Sequence, residues 1–354
     1  LTTPLVLAHP GDLESRTGGW GYDRRLVAEF AALGRPVRAI RLPGSYPDVR
    51  EADRAAARTL FAGLPDGTAV VVDMMAGGVL PDLLADERKR LAIVALCHHP
   101  LALETGLDPG RAAELADSER RALRSARRVV VTSPVTAETV ATMFTVLPER
   151  IVVAVPGTDP QPAAPGGNEP PVLLTVATLT RRKAHDVLID SLARISDLSF
   201  EARFVGGDRF DPDWTAALHA RVEQAGLADR VHFLGEVDDP GPQYREADLF
   251  VLPSRYEGYG MVFAEALAHG LPVVAARGGA VPAVVPEEAG RLVPVDDPDA
   301  LADALRVLLT DPGARHRARA AARRAGFALL RWDDTARRVA GAVDAAIQER
   351  ENEV

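Results

Sequence analysis

The stretch Glu257-Gly-Tyr-Gly-Met-Val-Phe-Ala-Glu265 sets two carboxylates on either side of a turn that could bind an anion. Gly258 and Gly260 let the backbone turn tightly and come close to a ligand. Met261 to His269 reads as a helix closed by Gly270. The amides near Gly260, Met261 and Val262 then form a helix N-terminus, which favours phosphate. Glu265 lies one turn above Met261 on the same face. Carboxylates repel phosphate but accept hydrogen bonds from hydroxyl groups well. The combination suits a phosphate flanked at both ends by hydroxyl-rich groups, the layout of a nucleotide-sugar: ribose, diphosphate, sugar. Two solvated glutamates around a strand–helix loop would have the same spacing, so spacing alone leaves both readings open.

Other residues could carry chemistry. Gly18-Gly-Trp-Gly-Tyr-Asp23 opens a helix shortly after the first expected strand, and such a glycine-rich loop is by itself a weak phosphate signal. Trp20 and Tyr22 read equally well as ligand-facing or as core. His98 and His99 end a strand, where neighbours point to opposite faces and cannot share one ion. No further His, Asp or Glu cluster has ligand spacing. Asp211-Pro-Asp213 and Asp297-Pro-Asp299 fit an Asp-x-Asp pattern, but neither follows an apolar strand directly, and both read as helix-capping turns. No metal site is expected. Cys97, the single cysteine, lies in an apolar run and reads as core.

The elements that must position these residues are short apolar runs alternating with helical patterns. Strands are expected at 5–8, 37–41, 69–73, 91–97, 129–132 and 151–155, with helices at 24–33, 49–62, 112–126 and 137–144. Repeated βα units argue for a parallel, doubly wound sheet. Residues 156–171 then hold six prolines and three glycines, a linker and the clearest domain boundary. A second series follows, with strands at 172–177, 202–205, 231–234, 249–252 and 272–275 and helices at 185–195, 214–224, 261–269 and 298–309. Glu257 falls at the carboxyl end of a strand, where open α/β sheets bind ligands.

The text from Phe233-Leu-Gly-Glu-Val through Tyr244-Arg-Glu-Ala-Asp-Leu-Phe-Val-Leu-Pro-Ser254, the two glutamates and Gly270-Leu-Pro-Val-Val-Ala275 resembles the donor half of the retaining glycosyltransferases of the GT-B fold. It is most similar to family 4, glycosyl transferases group 1, with its Glu-x7-Glu signature. The resemblance implies an α/β chain of two Rossmann-like, doubly wound parallel-sheet domains facing a cleft. Residues 1–160 would form the acceptor side and 161–330 the donor domain. Residues 331–354 would be a helix crossing back to the first domain, with Trp332 as its packing anchor. The implied activity is metal-independent, retaining, front-face transfer of a hexose-type sugar from a UDP-, GDP- or ADP-sugar to a hydroxyl acceptor, with no cofactor.

Carried over residue by residue, the resemblance gives Glu257, His98 and Lys183 catalytic roles. Glu257 would position the donor sugar, and His98 would touch it from the first domain, with His99 as the alternative. Glu265 would hold the ribose. Arg182, Lys183 and the segment Gly258, Tyr259, Gly260, Met261 and Val262 would hold the diphosphate, which Gly18 and Gly19 would approach from the other side. Two positions depart from the pattern. Thr178 stands where the family has arginine, and Ala184 where it has glycine. Arg181 or Arg182 would supply the missing charge, and Arg182 is favoured. Only two of 41 basic residues are lysine, so a lysine kept at 183 suggests a compact point charge on phosphate. An epimerase, a phosphorylase or a non-catalytic nucleotide-sugar-binding protein would be the alternative reading.

Composition bounds the remaining classes. A chain of 354 residues, 47% hydrophobic and 26% charged, reads as globular with room for two domains. A net charge of −9 argues against a nucleic-acid partner. No apolar run reaches the roughly 18–20 residues of a membrane span. The start, Leu1 to Ala8, lacks a basic region and reads as strand rather than as a secretion signal, while the absent initiator Met points to lost first residues. A cytoplasmic place is expected, with peripheral contact at the inner membrane face left open. The acceptor is a small molecule, a glycan or a lipid. Arg120, Arg121, Arg124, Arg127 and Arg128 read as one helix face behind Glu114, Asp117 and Glu119. That is ordinary dipole matching, with a surface for anionic lipid or acceptor as the alternative.

Overall fold

The computed structural model describes residues 4–15 and 18–353. The first residues of the start discussed above, Leu1 to Thr3, lie outside the described residues, as does Val354. The chain divides into two compact units, 1–157 with 330–354, and 158–329.

The first unit runs β1 (Leu5–Pro10), α1 (Gly18–Ala32), β2 (Val37–Leu42), α2 (Glu51–Ala62), β3 (Ala69–Asp73), α3 (Met74–Gly77), α4 (Pro81–Glu87), β4 (Ala92–Cys97), α5 (Pro109–Ser125), β5 (Arg128–Val131), α6 (Pro134–Phe144) and β6 (Ile151–Val153). Its described strands form one parallel sheet in the order β2-β1-β3-β4-β5-β6. β1, β3 and β4 are buried along their whole length. Helices cover both faces, so these strands read as continuous apolar runs rather than as alternating ones.

The second unit runs β7 (Val172–Val176), α7 (His185–Arg194), β8 (Glu201–Val205), α8 (Pro212–Gln224), β9 (Val231–Gly235), α9 (Gly241–Glu246), β10 (Leu249–Leu252), α10 (Met261–Ala268), β11 (Val273–Ala276), α11 (Val281–Val284), β12 (Gly290–Val293), α12 (Pro298–Thr310) and α13 (Pro312–Ala328). The sheet order is β12-β11-β10-β7-β8-β9, again parallel. α14 (Trp332–Glu353) returns to the first unit. Trp332 is buried there, edge-on to Tyr22 at 5.6 Å, and the Thr335 hydroxyl donates to Val155 O at 2.7 Å.

In both sheets the winding reverses once, between β1 and β3 and between β7 and β10. At such a switch point the two crossover helices diverge and leave a crevice outside the carboxyl ends of the strands. Both candidate sites lie at these reversals.

Several expectations need correction. The arginine run is not one helix face, because α5 ends at Ser125 and Arg128 is already in β5. Arg127 and Arg128 pair with Glu353 and Glu349 on α14. Glu119 is not a surface dipole partner; it is buried. Gly18 and Gly19 are not in a loop but in the first turn of α1. The proline-rich stretch is tied down as well. Asp248, 2% exposed, accepts from the Gly167 amide at 2.6 Å, the Val172 amide at 2.9 Å and the Asn168 side chain at 2.8 Å. Ala164 N donates to His269 O at 2.8 Å.

Replacing Asp248 by Asn turns one acceptor into a donor facing N–H groups. The second unit should lose about 2–3 kcal/mol of stability. Differential scanning calorimetry would register this as an earlier transition for that unit; an unmoved transition would show that the strap is held elsewhere.

Candidate functional site

In the second unit, the loop after β7 and the loop after β10 meet at the switch point. Lys183 Nζ lies 2.6 Å from Glu257 Oε1, and Arg182 Nη1 lies 3.4 Å from Glu257 Oε2 and donates to Tyr256 O at 2.9 Å. Glu257 is 5% exposed. Burial pushes its carboxyl upward, but Lys183 and then Arg182 outweigh this and hold it below its ordinary value. The group is therefore a carboxylate at neutral pH.

The backbone around it is equally constrained. Gly260 has φ of +90°, and a Cβ there would meet the Phe263 ring at 2.5 Å. A Cβ on Gly279 would lie 2.3 Å from Glu257 O, the same oxygen that accepts from Ala280 N at 2.8 Å. Arg255, which sequence reasoning missed, ties the two loops. Its amide donates to Arg182 O at 2.8 Å, and its guanidinium pairs with Asp186 at 2.8 Å and with Asp296 at 2.7 Å. Ala184 takes the left-handed conformation, φ 53°, that the family's glycine would adopt more easily. Arg181 is turned away, lying over the Trp214 ring at 4.4 Å, so Arg182 is the arginine brought to Glu257.

Gly258, Tyr259, Gly260, Met261 and Val262 are half-buried and lead into α10, which starts at Met261. Glu265 accepts from the Tyr244 hydroxyl at 2.9 Å. Burial pushes the Glu265 carboxyl up; that hydrogen bond partly offsets the rise. Tyr244 stacks on His269 at 5.1 Å, and His269 Nδ1 lies 2.9 Å from Pro162 O. Asp211 and Asp297 accept from Trp214 N and Ala300 N at 3.0 and 2.9 Å, so both are helix caps.

In the first unit, the switch point holds a second polar group. His98 Nε2 lies 3.2 Å from Asp23 Oδ1 and 3.8 Å from Asp73 Oδ2. A Cβ on Gly19 would lie 3.4 Å from the His98 ring, while Gly18 faces open space. His99 is paired separately, with Glu104 at 3.2 Å. Asp73 is pushed up to about 7 by burial and by Asp23, and His98 is raised because the carboxylates outweigh its burial. Tyr22 is fully buried and donates to Ala154 O at 3.1 Å, so it belongs to the core. Cys97 is buried too.

Among the described residues, Asp23, Asp73 and His98 form the one group of three with donor atoms close enough to share an ion, within 4.8 Å. The expectation that no such cluster exists is corrected here, since the three come from α1, β3 and the end of β4. One imidazole cannot balance two carboxylates, so Asp73 keeps its proton up to about pH 7, while its Oδ1 accepts from Met75 N at 2.7 Å.

Glu119, expected only as a helix-dipole charge, has a different role. Its oxygens accept from Leu101 N at 2.8 Å and Ala102 N at 3.0 Å. It thereby fixes the segment that leaves His98 and His99. No local pattern shows this, because the partners are 17 and 18 residues away.

Residues 170–311 match the family model described as glycosyl transferases group 1. A D-inositol 3-phosphate glycosyltransferase of Jonesia denitrificans is 30% identical over 280 residues, covering 72% of this chain and 66% of that protein. The chain spans between 39% and 66% of the length of such curated relatives. Among solved structures, a sucrose-phosphate synthase from Thermosynechococcus elongatus superposes with a TM-score of 0.79 at 23% identity, over 95% of this chain and 98% of that one. An Anabaena protein solved in complex with UDP gives 0.73 at 18% identity, over 96% and 99%. The fold is GT-B.

Glu119, like Asp73, is pushed up to about 7, by burial that its two amide bonds offset only in part. A carboxyl raised on folding contributes stability that is complete below its unfolded value and lost as pH rises through the folded one. For Glu119, stability should therefore fall between about pH 4.5 and 7 by about 3 kcal/mol. Urea unfolding across this range should show a shallower slope for Glu119→Gln. An identical slope would mean that Glu119 takes up no proton on folding.

Proposed function

We infer, from the membership of residues 170–311 in the glycosyl transferases group 1 family, that the chain is a retaining, metal-independent glycosyltransferase using a UDP-, GDP- or ADP-sugar. One observation carries the reading. At the switch point of the second sheet, Arg182 and Lys183 meet Glu257 on the loop that leads into α10, and Glu265 stands on that helix one turn above its start. This is a cationic and amide-rich centre with a carboxylate on each side, matching diphosphate between sugar and ribose.

In this reading Glu265 accepts from the ribose hydroxyls, with Tyr244 fixing its orientation. Glu257, kept ionised by its cations, accepts from the donor sugar. Lys183, Arg182 and the amides of Gly260, Met261 and Val262 face the diphosphate. In the first unit His98 is assigned to the sugar, with Gly18 and Gly19 leaving room beside it. Transfer breaks the bond between the sugar's anomeric carbon and the diphosphate oxygen and forms a bond to the acceptor oxygen on the same face. The acceptor proton leaves with the nucleoside diphosphate. Charge grows on the terminal phosphate as the bond breaks, and cations and helix amides stabilise it there. No protein nucleophile is assigned.

Incubating the full chain with UDP-, GDP- and ADP-sugars and a panel of hydroxyl acceptors in EDTA should give acceptor-dependent nucleotide release, with the anomeric configuration of the donor kept. Loss of turnover in EDTA and its return with Mn²⁺ would refute metal independence, and an inverted product would refute retention. Donor binding without any transfer would favour a non-catalytic role.

Lys183→Ala should lower kcat by about 10²–10³, because the contact strengthens as charge develops on the leaving group. Its effect on donor KM should be smaller. A variant with kcat near wild type and only a raised KM would make Lys183 a uniform binding contact.

A further inference from the structure

The first unit contains a cavity of about 660 Å³ between α2, α4 and α5, outside the residues discussed so far. α2 turns Arg54 and Arg58 towards it, and α5 turns Arg111 and Arg121. Arg54 and Arg58 lie one turn apart on one face of α2. Arg58 pairs with Glu51 at 3.3 Å, Arg111 with Asp48 at 2.7 Å, and Arg121 with Asp82, whereas Arg54, 3.9 Å from Glu51, donates to Val79 O at 2.5 Å and is committed there.

The partners' exposure distinguishes this place from the donor centre. The side chains of Asp48, Glu51 and Asp82 are 82%, 79% and 64% exposed, whereas Glu257 is 7% exposed. Exposed ion pairs are weak, about 0–1 kcal/mol. A phosphate entering the cavity gives guanidinium groups a bidentate, doubly charged partner instead. The displaced carboxylates at the rim are then acceptors for hydroxyl groups. The size is that of a small-ligand pocket, within the range of about 300–1,000 Å³.

The cavity floor adjoins the segment that follows His98 and His99. Val79 and Leu115 line the cavity and are buried against Leu101 and Ala102, the two residues whose amides Glu119 holds. A ligand seated on Val79 and Leu115 therefore rests on the turn that follows His98 and His99. The arginine run resolves in the same way. Only Arg121 of that run faces the cavity, since Arg120 turns to Met143 O and Arg127 and Arg128 turn to α14. A flat basic face for a membrane is thereby broken up, while a concave arginine pocket for a small molecule remains.

We propose that this cavity is the acceptor pocket and takes a phosphorylated hydroxyl compound, a polyol phosphate or sugar phosphate. The guanidinium groups of Arg58, Arg111 and Arg121 face its phosphate, and the rim carboxylates face its hydroxyls. The acceptor role rests on the glycosyltransferase reading; the binding does not.

Titration calorimetry on the full chain tests it with four probes: myo-inositol 1-phosphate, glucose 6-phosphate, and their unphosphorylated parents. The phosphorylated probes should bind at least tenfold more tightly than the parents. Arg58→Gln/Arg111→Gln should lose that advantage while its thermal midpoint stays near wild type. Arg58→Gln alone, which removes only a pair to Glu51, serves if the double variant unfolds. Equal affinity for parent and phosphate, or unchanged affinity in a folded variant, overturns the proposal. So does arginine-dependent binding to phosphatidylglycerol vesicles without binding of the soluble phosphates, or binding of inorganic phosphate as tight as that of the polyol phosphates. Phosphate-dependent binding without sugar transfer would leave the pocket standing and remove the glycosyltransferase reading. Transfer to an unphosphorylated acceptor, unaffected by the double variant, would do the reverse.

Discussion

The second unit depends on one buried ion pair, Lys183 with Glu257, supported by Arg182. A buried charge without its partner costs several kcal/mol, and these partners come from loops 74 residues apart. The loops meet only because β7 and β10 are neighbours at the point where the winding reverses. Everything nearby serves that meeting. Arg255 ties the loops through backbone and carboxylates, Gly279 leaves space for the Glu257 carbonyl, and Ala184 accepts a left-handed backbone to start α7. The topology thus creates the site by bringing a cation loop and a carboxylate loop to one crevice.

The first unit repeats the device with different chemistry. Its reversal lies between β1 and β3, and there Asp23, Asp73 and His98 gather. The two groups differ in balance. Glu257 faces two cations and is held ionised. Asp73 faces another carboxylate and one imidazole, so its proton is held to about neutral pH. One centre is fixed in charge while the other can exchange a proton near pH 7, although both arise from the same feature of a parallel sheet.

Much of this was legible in the sequence, for identifiable reasons. Leu249–Leu252 reads as a strand because a sheet covered on both faces makes a strand wholly apolar. Residues 261–269 read as a helix because Gly260 precedes them and Gly270 closes them, and the helix found is Met261–Ala268. The glutamate pair and Lys183 are readable because each lies within one local motif. Contacts made by distant residues were not readable. Asp23, Asp73 and Glu119 act on residues 17 to 75 positions away, and no spacing encodes that. α13 was missed because its buried stripe is alanine, Ala314, Ala318, Ala321 and Ala322, which carries little periodic signal. The proline-rich stretch looked like a free linker because proline and glycine content reports local stiffness, whereas Asp248 holds the stretch from outside.

The same distinction sorts the arginines, which dominate the basic residues here and cannot be ranked by type. What separates them is the environment of the partner. Arg127, with a side chain 7% exposed, is committed to α14 through Glu353 and also donates to Arg88 O at 3.0 Å. Arg150 is committed to carbonyl oxygens that end α5, including Leu123 O at 2.9 Å. Carbonyls at a helix end cannot move away, so such guanidinium groups are structural. Arg58 and Arg111 instead meet carboxylates on flexible, solvated stems. Exchanging such a partner for a ligand costs little, because water solvates the carboxylate that is released. In this chain an arginine's availability to a ligand is therefore set by how readily its present acceptor can return to water.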